Sequence, residues 1–298
     1  MQRANALLPP LAAGLVLALS FSNDAAASGP SASSGRAGSE RRAARVQTLP
    51  VHANIASTGS GHRYFPVLEG ILPGPSEQTS CPAGMANIDG RFCIDRWEGS
   101  LVEVLPGGGQ QDWSPFAAVD AGHTVRAVSR PNVYPQAYIS GAQAASACEA
   151  AGKRLCAPIE WRKACRGPAE TTYGYGNERV AGRCNDRGQS PMLRIFPQVA
   201  TSWNLVGMKE MNDPRLNQLD GTLAPTGSHE ECTNDYGVYD MVGNLHEWTS
   251  DPNGTFQGGY YLDTHLNGDG CGYRTAAHEF TYHDYSTGFR CCADPVSP

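Results

Sequence analysis

Apolar and polar positions change rhythm several times along the chain, and each change predicts a short element. Met85-Ala86-Asn87-Ile88 and Arg91 to Trp97 flank Asp89-Gly90, a strong two-residue hairpin signal, so the pattern predicts two antiparallel strands. Ala144, Ala145, Cys148 and Ala151 share one face of a predicted helix, with Ser140 as N-cap and Gly152 at its C-terminal end. Pro158 opens a second predicted helix, in which Trp161 and Cys165 fall four residues apart, and Arg166-Gly167-Pro168 ends it. Such short helices depend on burial against the rest of the domain. After Cys165 little is periodic. Thr222 to Thr226 reads as a strand interrupted by Pro225. Tyr239 to Trp248 reads as a helical turn packed by Met241, Leu245 and Trp248, and Phe280 to Phe289 as an aromatic-rich loop. Gly107-Gly108-Gly109 marks a loop or hairpin tip, without the setting or lysine of a phosphate cradle.

The chain's first residues follow a different pattern. Arg3 precedes a Leu- and Ala-rich stretch, Leu7 to Leu19, broken by Pro9, Pro10 and Gly14, and Ala25-Ala26-Ala27 suits cleavage. Residues 1–27 therefore read as a signal peptide, too short and interrupted for a stable span. No cysteine follows the small residues, which argues against a lipid anchor. Residues 28–63 hold few bulky apolar side chains and carry Arg36, Arg41, Arg42 and Arg45, a flexible segment that cannot repay the entropy of ordering. One domain, 64–298, is expected to follow, and no internal repeat is evident. With 34 glycines and 21 prolines in 298 residues, turns should outnumber long regular elements. Net charge is -6 and no basic stripe appears, which excludes a nucleic-acid role. Ten cysteines behind a secretion signal imply an oxidising compartment, secreted or periplasmic. Cys81 and Cys93 lie within reach across the first hairpin; a local bridge there competes with one of them tying down a distant loop.

Four segments in register carry a family resemblance. Ala151-Gly152-Lys153-Arg154-Leu155 with Glu160-Trp161 and Ala164-Cys165-Arg166-Gly167 is the first. Tyr239-Asp240-Met241-Val242-Gly243-Asn244-Leu245-His246-Glu247-Trp248 is the second, followed by Gly258-Gly259-Tyr260 and Gly288-Phe289-Arg290. From about Cys81 to Asp294 the chain resembles the formylglycine-generating enzymes, the sulfatase-modifying factors. The resemblance implies a mixed α/β, loop-rich domain with little regular secondary structure, a fold likened to C-type lectins. In that setting Asp240, Asn244, Glu247, Trp248 and Arg290 would hold loops together whether or not the protein is active.

Active members of the family oxidise a substrate cysteine to formylglycine with oxygen and copper, the Cu(I) held by two soft thiolates. Here the first of those cysteine positions falls on or near Asp263 and the second corresponds to Cys271, with about three extra residues between the landmarks. An aspartate and one thiolate make a poor Cu(I) pair, so copper in a two-thiolate site is not expected. Asp263, His265 and Cys271 remain the candidate catalytic residues, His265 as a possible imidazole donor. Tyr260, Tyr261, Arg274, His278 and Tyr282 are expected along the substrate groove, His278 standing where an arginine is common.

By the same resemblance Cys148 bridges Cys291, and the usual partner of Cys165 falls on Thr275. Cys165 must then pair differently or stay free, with Cys184 as a substitute partner. Five bridges among ten cysteines would leave Cys271 bridged rather than free; both states are open. Some members bind calcium, and Asn244 with Glu247 matches that motif, while Asn204 and Leu205 stand where another such site could be built. Three functions follow. The leading expectation is a divergent oxidoreductase acting on a non-sulfatase substrate; the others are a non-enzymatic binding or cell-surface module and a formylglycine-generating oxidase. Partners would be a peptide or small molecule, with the protein a monomer. Serine- and zinc-hydrolase chemistry is excluded, as neither Gly-x-Ser-x-Gly nor His-Glu-x-x-His occurs.

Overall fold

In a computed structural model, Asp89 and Gly90 take φ of 53° and 67°, the left-handed pair a tight hairpin turn requires. The side chain of Asn87 accepts the Gly90 N–H at 2.7 Å and fixes that turn. The structure describes Gly70, 72–74, 80–200, 202 and 207–296, within the unit Gly61–Pro298. The expected signal peptide, the flexible segment 28–63, and Asn204 and Leu205 lie outside the described residues.

The strands, in chain order, are β1 (Met85–Ile88), β2 (Phe92–Asp95), β3 (Gly99–Val104), β4 (Gln110–Asp112), β5 (Val125–Ser129), β6 (Arg154–Leu155), β7 (His246–Trp248), β8 (Phe256–Gln257), β9 (Arg274–Thr275), β10 (Thr287–Phe289) and β11 (Cys291–Ala293). They form three small sheets, ordered β1-β2-β11-β6, β10-β7-β8-β9 and β4-β3-β5. The helices are α1 (Gly141–Ala150), α2 (Pro158–Arg166), α3 (Pro191–Ile195) and α4 (Met208–Met211). The molecule is a mixed α/β, loop-rich fold, as expected.

Local signals placed both longer helices. Ser140 Oγ accepts the Gln143 N–H at 3.2 Å and Gln143 Oε1 accepts the Ser140 N–H at 3.0 Å, a complete capping box for α1. Pro158 occupies the first turn of α2, and Gly167 ends it with φ 69°. Two expected elements differ. Thr222 to Thr226 is a buried loop, its backbone held by side chains: Thr222 O accepts from Asn185 Nδ2 at 2.8 Å and the Ala224 N–H donates to Asn244 Oδ1 at 2.9 Å. Tyr239 to Trp248 is not a helical turn. Asp240, Gly243 and Asn244 have positive φ, which breaks any helix, and the segment straightens into β7.

Five disulfides cross the domain: Cys81–Cys93, Cys148–Cys291, Cys156–Cys292, Cys165–Cys271 and Cys184–Cys232. The first two agree with the pairings read above. Pairing of Cys165 with Cys184 is corrected, because each has another partner. Successive residues of a strand point to opposite faces, so Cys291 reaches α1 while Cys292 reaches Cys156 beside β6. β11 is thereby clamped from both sides.

Candidate functional site

β7 presents two chemically opposite faces. Glu247 points inward and accepts from Arg290 twice, Nε at 2.6 Å and Nη2 at 2.7 Å, and from Trp161 Nε1 at 2.7 Å. Arg290 is fully buried, and its remaining N–H groups donate to the carbonyls of Asp95 and Tyr239 at 3.1 and 2.8 Å. This pair is closed on itself, the condition under which a buried ion pair is tolerated.

His246, on the other face, has no such closure. It is 6% exposed, and its ring centroid lies 4.7 Å from those of Phe256 and Tyr260 and 5.4 Å from that of Tyr273. Its Nδ1 is buried without a hydrogen-bond partner. Burial in this aromatic cage pushes the imidazole pKa down to about 3; the Asp263 charge opposes that shift and His278 adds to it. His246 is therefore neutral at physiological pH. Buried polar atoms are almost always paired, so an orphaned nitrogen needs a reason.

The mouth over this cage is aromatic. Tyr260, His278 and Tyr282 are half-buried, with the His278 ring 4.7 Å from Phe256 and 4.8 Å from Tyr282. Tyr282 donates its hydroxyl to Asp284 Oδ2 at 2.6 Å, while Asp284 Oδ1 accepts from the backbone and hydroxyl of Ser286. Burial raises the Asp284 carboxyl above its ordinary range, and those donors oppose it. Gly258 is required just before the mouth. Its φ is +87°, and a Cβ there would stand 2.6 Å from Met241 O and 3.0 Å from the Trp161 ring.

The remaining expected residues distribute unevenly. Tyr260, His278 and Tyr282 come together as anticipated. Tyr261 does not join them: it is fully buried, its hydroxyl donating to Asn217 Oδ1 at 3.0 Å, so it is a core residue. Arg274 is exposed on β9, opposite Gln257 rather than Phe256, and leaves the sheet on the side away from the aromatic cage. Asp263 Oδ1 accepts the N–H groups of His265 and Leu266 at 3.0 Å each, and Oδ2 accepts the Tyr273 hydroxyl at 3.0 Å. Burial pushes its carboxyl up, but these donors outweigh it and hold the pKa below the usual value. His265 stands exposed with Nδ1 3.4 Å from Asp263 Oδ1. Cys271 is fully buried in its bond to Cys165. A cavity of about 540 Å³ elsewhere, lined among others by Tyr134, Asn217, Asp220 and His229, includes none of the mouth residues.

Against this geometry, residues 82–295 match the sulfatase-modifying factor enzyme 1-like domain. The chain belongs to that family. It is similar to the formylglycine-generating enzyme of Mycobacterium tuberculosis, 28% identical over 86% of this chain and 89% of that protein. It is also similar to the enzyme of the same name from Thermomonospora curvata, 30% identical over 56% of this chain and 57% of that one. Among solved structures it shares 13% identity with the Major Tropism Determinant U1 variant, covering 74% of this chain and 55% of that one with a TM-score of 0.41, a likeness too distant to carry an argument.

Neither the two-thiolate copper site nor a calcium site at Asn244 and Glu247 fits the donors present there. For copper, the sulfur of Cys271 is committed to a disulfide, and Asp263 is a hard ligand already holding three donors. For calcium, both Glu247 oxygens face Arg290, and Asn244 Oδ1 accepts from Asn185 Nδ2 at 2.8 Å and Ala224 N at 2.9 Å. Asn244 Nδ2 in turn donates to buried Glu98 at 2.6 Å. These two residues brace loops and do not converge on a common cation. Among the described residues no group of three or more His, Cys, Asp or Glu side chains gathers as a metal site.

His246 is the residue that sequence reasoning passed over. It stands inside the second family segment, where every neighbour reads as architecture. The available signal was its two-residue spacing from Trp248, which puts an ionisable ring on an otherwise apolar strand face.

Proposed function

We propose that this protein is a secreted or periplasmic ligand-binding member of its family that carries out no thiol-dependent oxidation. The observation that carries the reading is Cys271, buried and bonded to Cys165, beside a mouth built of Tyr260, His278 and Tyr282 over an unpartnered His246. The alternative of a formylglycine-generating oxidase rests on the family's thiolate–copper chemistry. That chemistry needs a free soft donor, and all ten cysteines are bridged. What remains suits recognition. Tyrosine rings give large contact area while their hydroxyls still hydrogen-bond, and a neutral imidazole supplies one directional polar contact in an apolar setting. The ligand class is a small molecule or peptide side chain with a flat apolar face and one polar atom directed at His246 Nδ1. Among the described residues no helix is long and apolar enough to cross a membrane, and five disulfides agree with an oxidising compartment.

The test joins three measurements on the native protein. Thiol labelling should find no reactive cysteine, titration should find no stoichiometric Cu(I), and a Cys-x-Pro-x-Arg peptide should keep its mass. A labelled Cys271, tight copper and a peptide lighter by the difference between cysteine and formylglycine would overturn the reading. On the positive side, ligands selected from a peptide and metabolite library should lose affinity in Tyr260→Ala and Tyr282→Ala. Selection that yields none, or affinity indifferent to both variants, counts equally against it.

A further inference from the structure

The loops that frame the β4-β3-β5 sheet enclose a cavity of about 120 Å³, and none of the aromatic-mouth residues lines it. Its walls are fixed by backbone bonds. After β4, the Trp113 N–H donates to Leu101 O at 3.1 Å; after β5, the Gln136 N–H donates to Gly99 O at 2.8 Å. Both segments are thereby pinned to the start of β3. Thr226 ties down the turn that leaves β5: its hydroxyl donates to Arg130 O at 2.6 Å and its backbone N–H to Val133 O at 2.9 Å. The cavity is thus formed in advance, as ligand sites usually are.

Two lining residues carry buried polar atoms of opposite kind, neither with a hydrogen-bond partner: Gln136 Oε1 and Arg130 Nε. Gln136 is fully buried, and its amide nitrogen donates to Ala117 O at 2.9 Å and Ala137 O at 2.6 Å. Turning the amide over would set its oxygen against both carbonyls, so the unpaired atom is the acceptor. Arg130 spends Nη2 on Asp112 Oδ1 at 2.8 Å. That ion pair offsets the guanidinium charge, and Nε–H remains as an unpaired donor. Buried polar atoms are almost always paired, so an acceptor and a donor left over in one cavity call for a group that supplies both. The rest of the wall is apolar: Leu101, Pro115 and Val133, with the exposed ring of Tyr134 beside them. The space is somewhat smaller than a cavity of about 150 Å³ that takes benzene, so it admits one functional group and not a whole sugar or peptide.

We propose that this cavity binds a neutral acetamido group carried on a larger molecule. In the bound state the amide N–H donates to Gln136 Oε1, the carbonyl accepts from Arg130 Nε, and the methyl packs on the apolar wall. A hydroxyl also donates and accepts, yet it leaves that wall uncovered. An anion meets the Asp112 carboxylate. Tyr134 lines the cavity of about 540 Å³ as well, which gives the bearer room past its ring. The bearer is either a sugar or an amino acid.

Calorimetric titration of the full native protein with N-acetylglucosamine and with Nε-acetyllysine tests it, with glucose, glucosamine and lysine as counterparts that lack the amide. We expect saturable binding of an acetylated probe and none of its counterparts. Arg130→Lys keeps a cation beside Asp112 but removes the Nε–H donor, and should weaken binding about tenfold. Tyr134→Ala, at an exposed position, should weaken it by a smaller factor. No saturable binding of either acetylated probe, equal affinity for acetylated and plain probes, or indifference to Arg130→Lys overturns the proposal. Binding lost in Tyr282→Ala but kept in Arg130→Lys assigns the probe to the aromatic mouth and overturns it as well. Tighter binding of N-acetylglucosamine identifies a sugar bearer, and tighter binding of Nε-acetyllysine an acylated amino acid; equal affinity means that the acetamido group alone is read.

Discussion

Glu247 and His246 are neighbours on one strand, and both are buried. Glu247 is a charge whose acceptors are all engaged, by Arg290 and Trp161. His246 is a neutral ring surrounded by aromatic carbon, with one nitrogen unpaired. A closed polar network holds a fold together and has nothing left to offer a ligand. An open one costs stability and persists where something else completes it. The comparison separates the architecture of the family from the part of this chain that can act.

The harshest way to break the comparison is to open the closed side. Arg290→Met would leave Glu247 as an uncompensated buried charge, a class of change that costs about 3–5 kcal/mol. Pairing it with Glu247→Gln removes the stranded charge and should recover part of that loss. Denaturant unfolding of the single and double variants measures both. A single variant within about 1 kcal/mol of wild type would mean that the network is not what holds these loops.

The second break concerns sulfur. Cys165→Ala/Cys271→Ala removes a bridge that closes 106 residues, and loss of a native disulfide typically costs about 2–5 kcal/mol. The bridge also ties α2 to the loop before β9. Ligand binding at Tyr260 and Tyr282, on the other side of the sheet, should persist in this variant. Unfolding curves measure the lost stability, and ligand titration of the folded variant measures the binding that remains. If aromatic-mouth binding disappears from the folded variant, the assignment of the bridge to the α2 side is wrong.

Much of the fold was legible because its signals are local. Asp89-Gly90, the Ser140/Gln143 box and Pro158 each settle an element within a few residues. The segment Tyr239 to Trp248 misled because Met241, Leu245 and Trp248 keep helical spacing, while the deciding property, positive φ at Asp240 and Asn244, is imposed by contacts far away. Asn244, for example, is held by Glu98, 146 residues earlier. The partner of Cys165 was hidden for the same reason, since nothing in spacing relates it to Cys271. Of the site, the tyrosines and His278 could be named from the resemblance, which also placed Tyr261 and Arg274 in the groove. Only packing shows that Tyr261 turns into the core and that Arg274 leaves the opposite face.

The gentlest test sharpens the open side, through pH. The imidazole of His246 titrates near 6.5 when unfolded and at about 3 when folded. Between those values the unfolded chain binds the extra proton, so stability rises with pH and is lost as pH falls below about 6.5. The loss amounts to about 1.4 kcal/mol per pH unit. Buried carboxylates act in the opposite sense: between about pH 4 and pH 6 Asp240, pushed up to about 6 by burial, is protonated in the folded state and ionised in the unfolded one, so it favours folding at lower pH and that contribution is lost as pH rises through this window. The wild-type curve therefore mixes both signs, and only a difference isolates the histidine. His246→Phe keeps a ring in the cage and removes the titration. Wild type minus His246→Phe, from unfolding free energies between pH 7 and pH 5, should slope downward toward acid by about that amount per unit below 6.5. At pH 7 the variant should be as stable as wild type or more so, because the orphaned nitrogen is gone, yet it should bind polar ligands at the mouth more weakly. A flat difference curve would show that His246 is not held neutral by its cage, and the open side of the strand would lose its distinguishing feature.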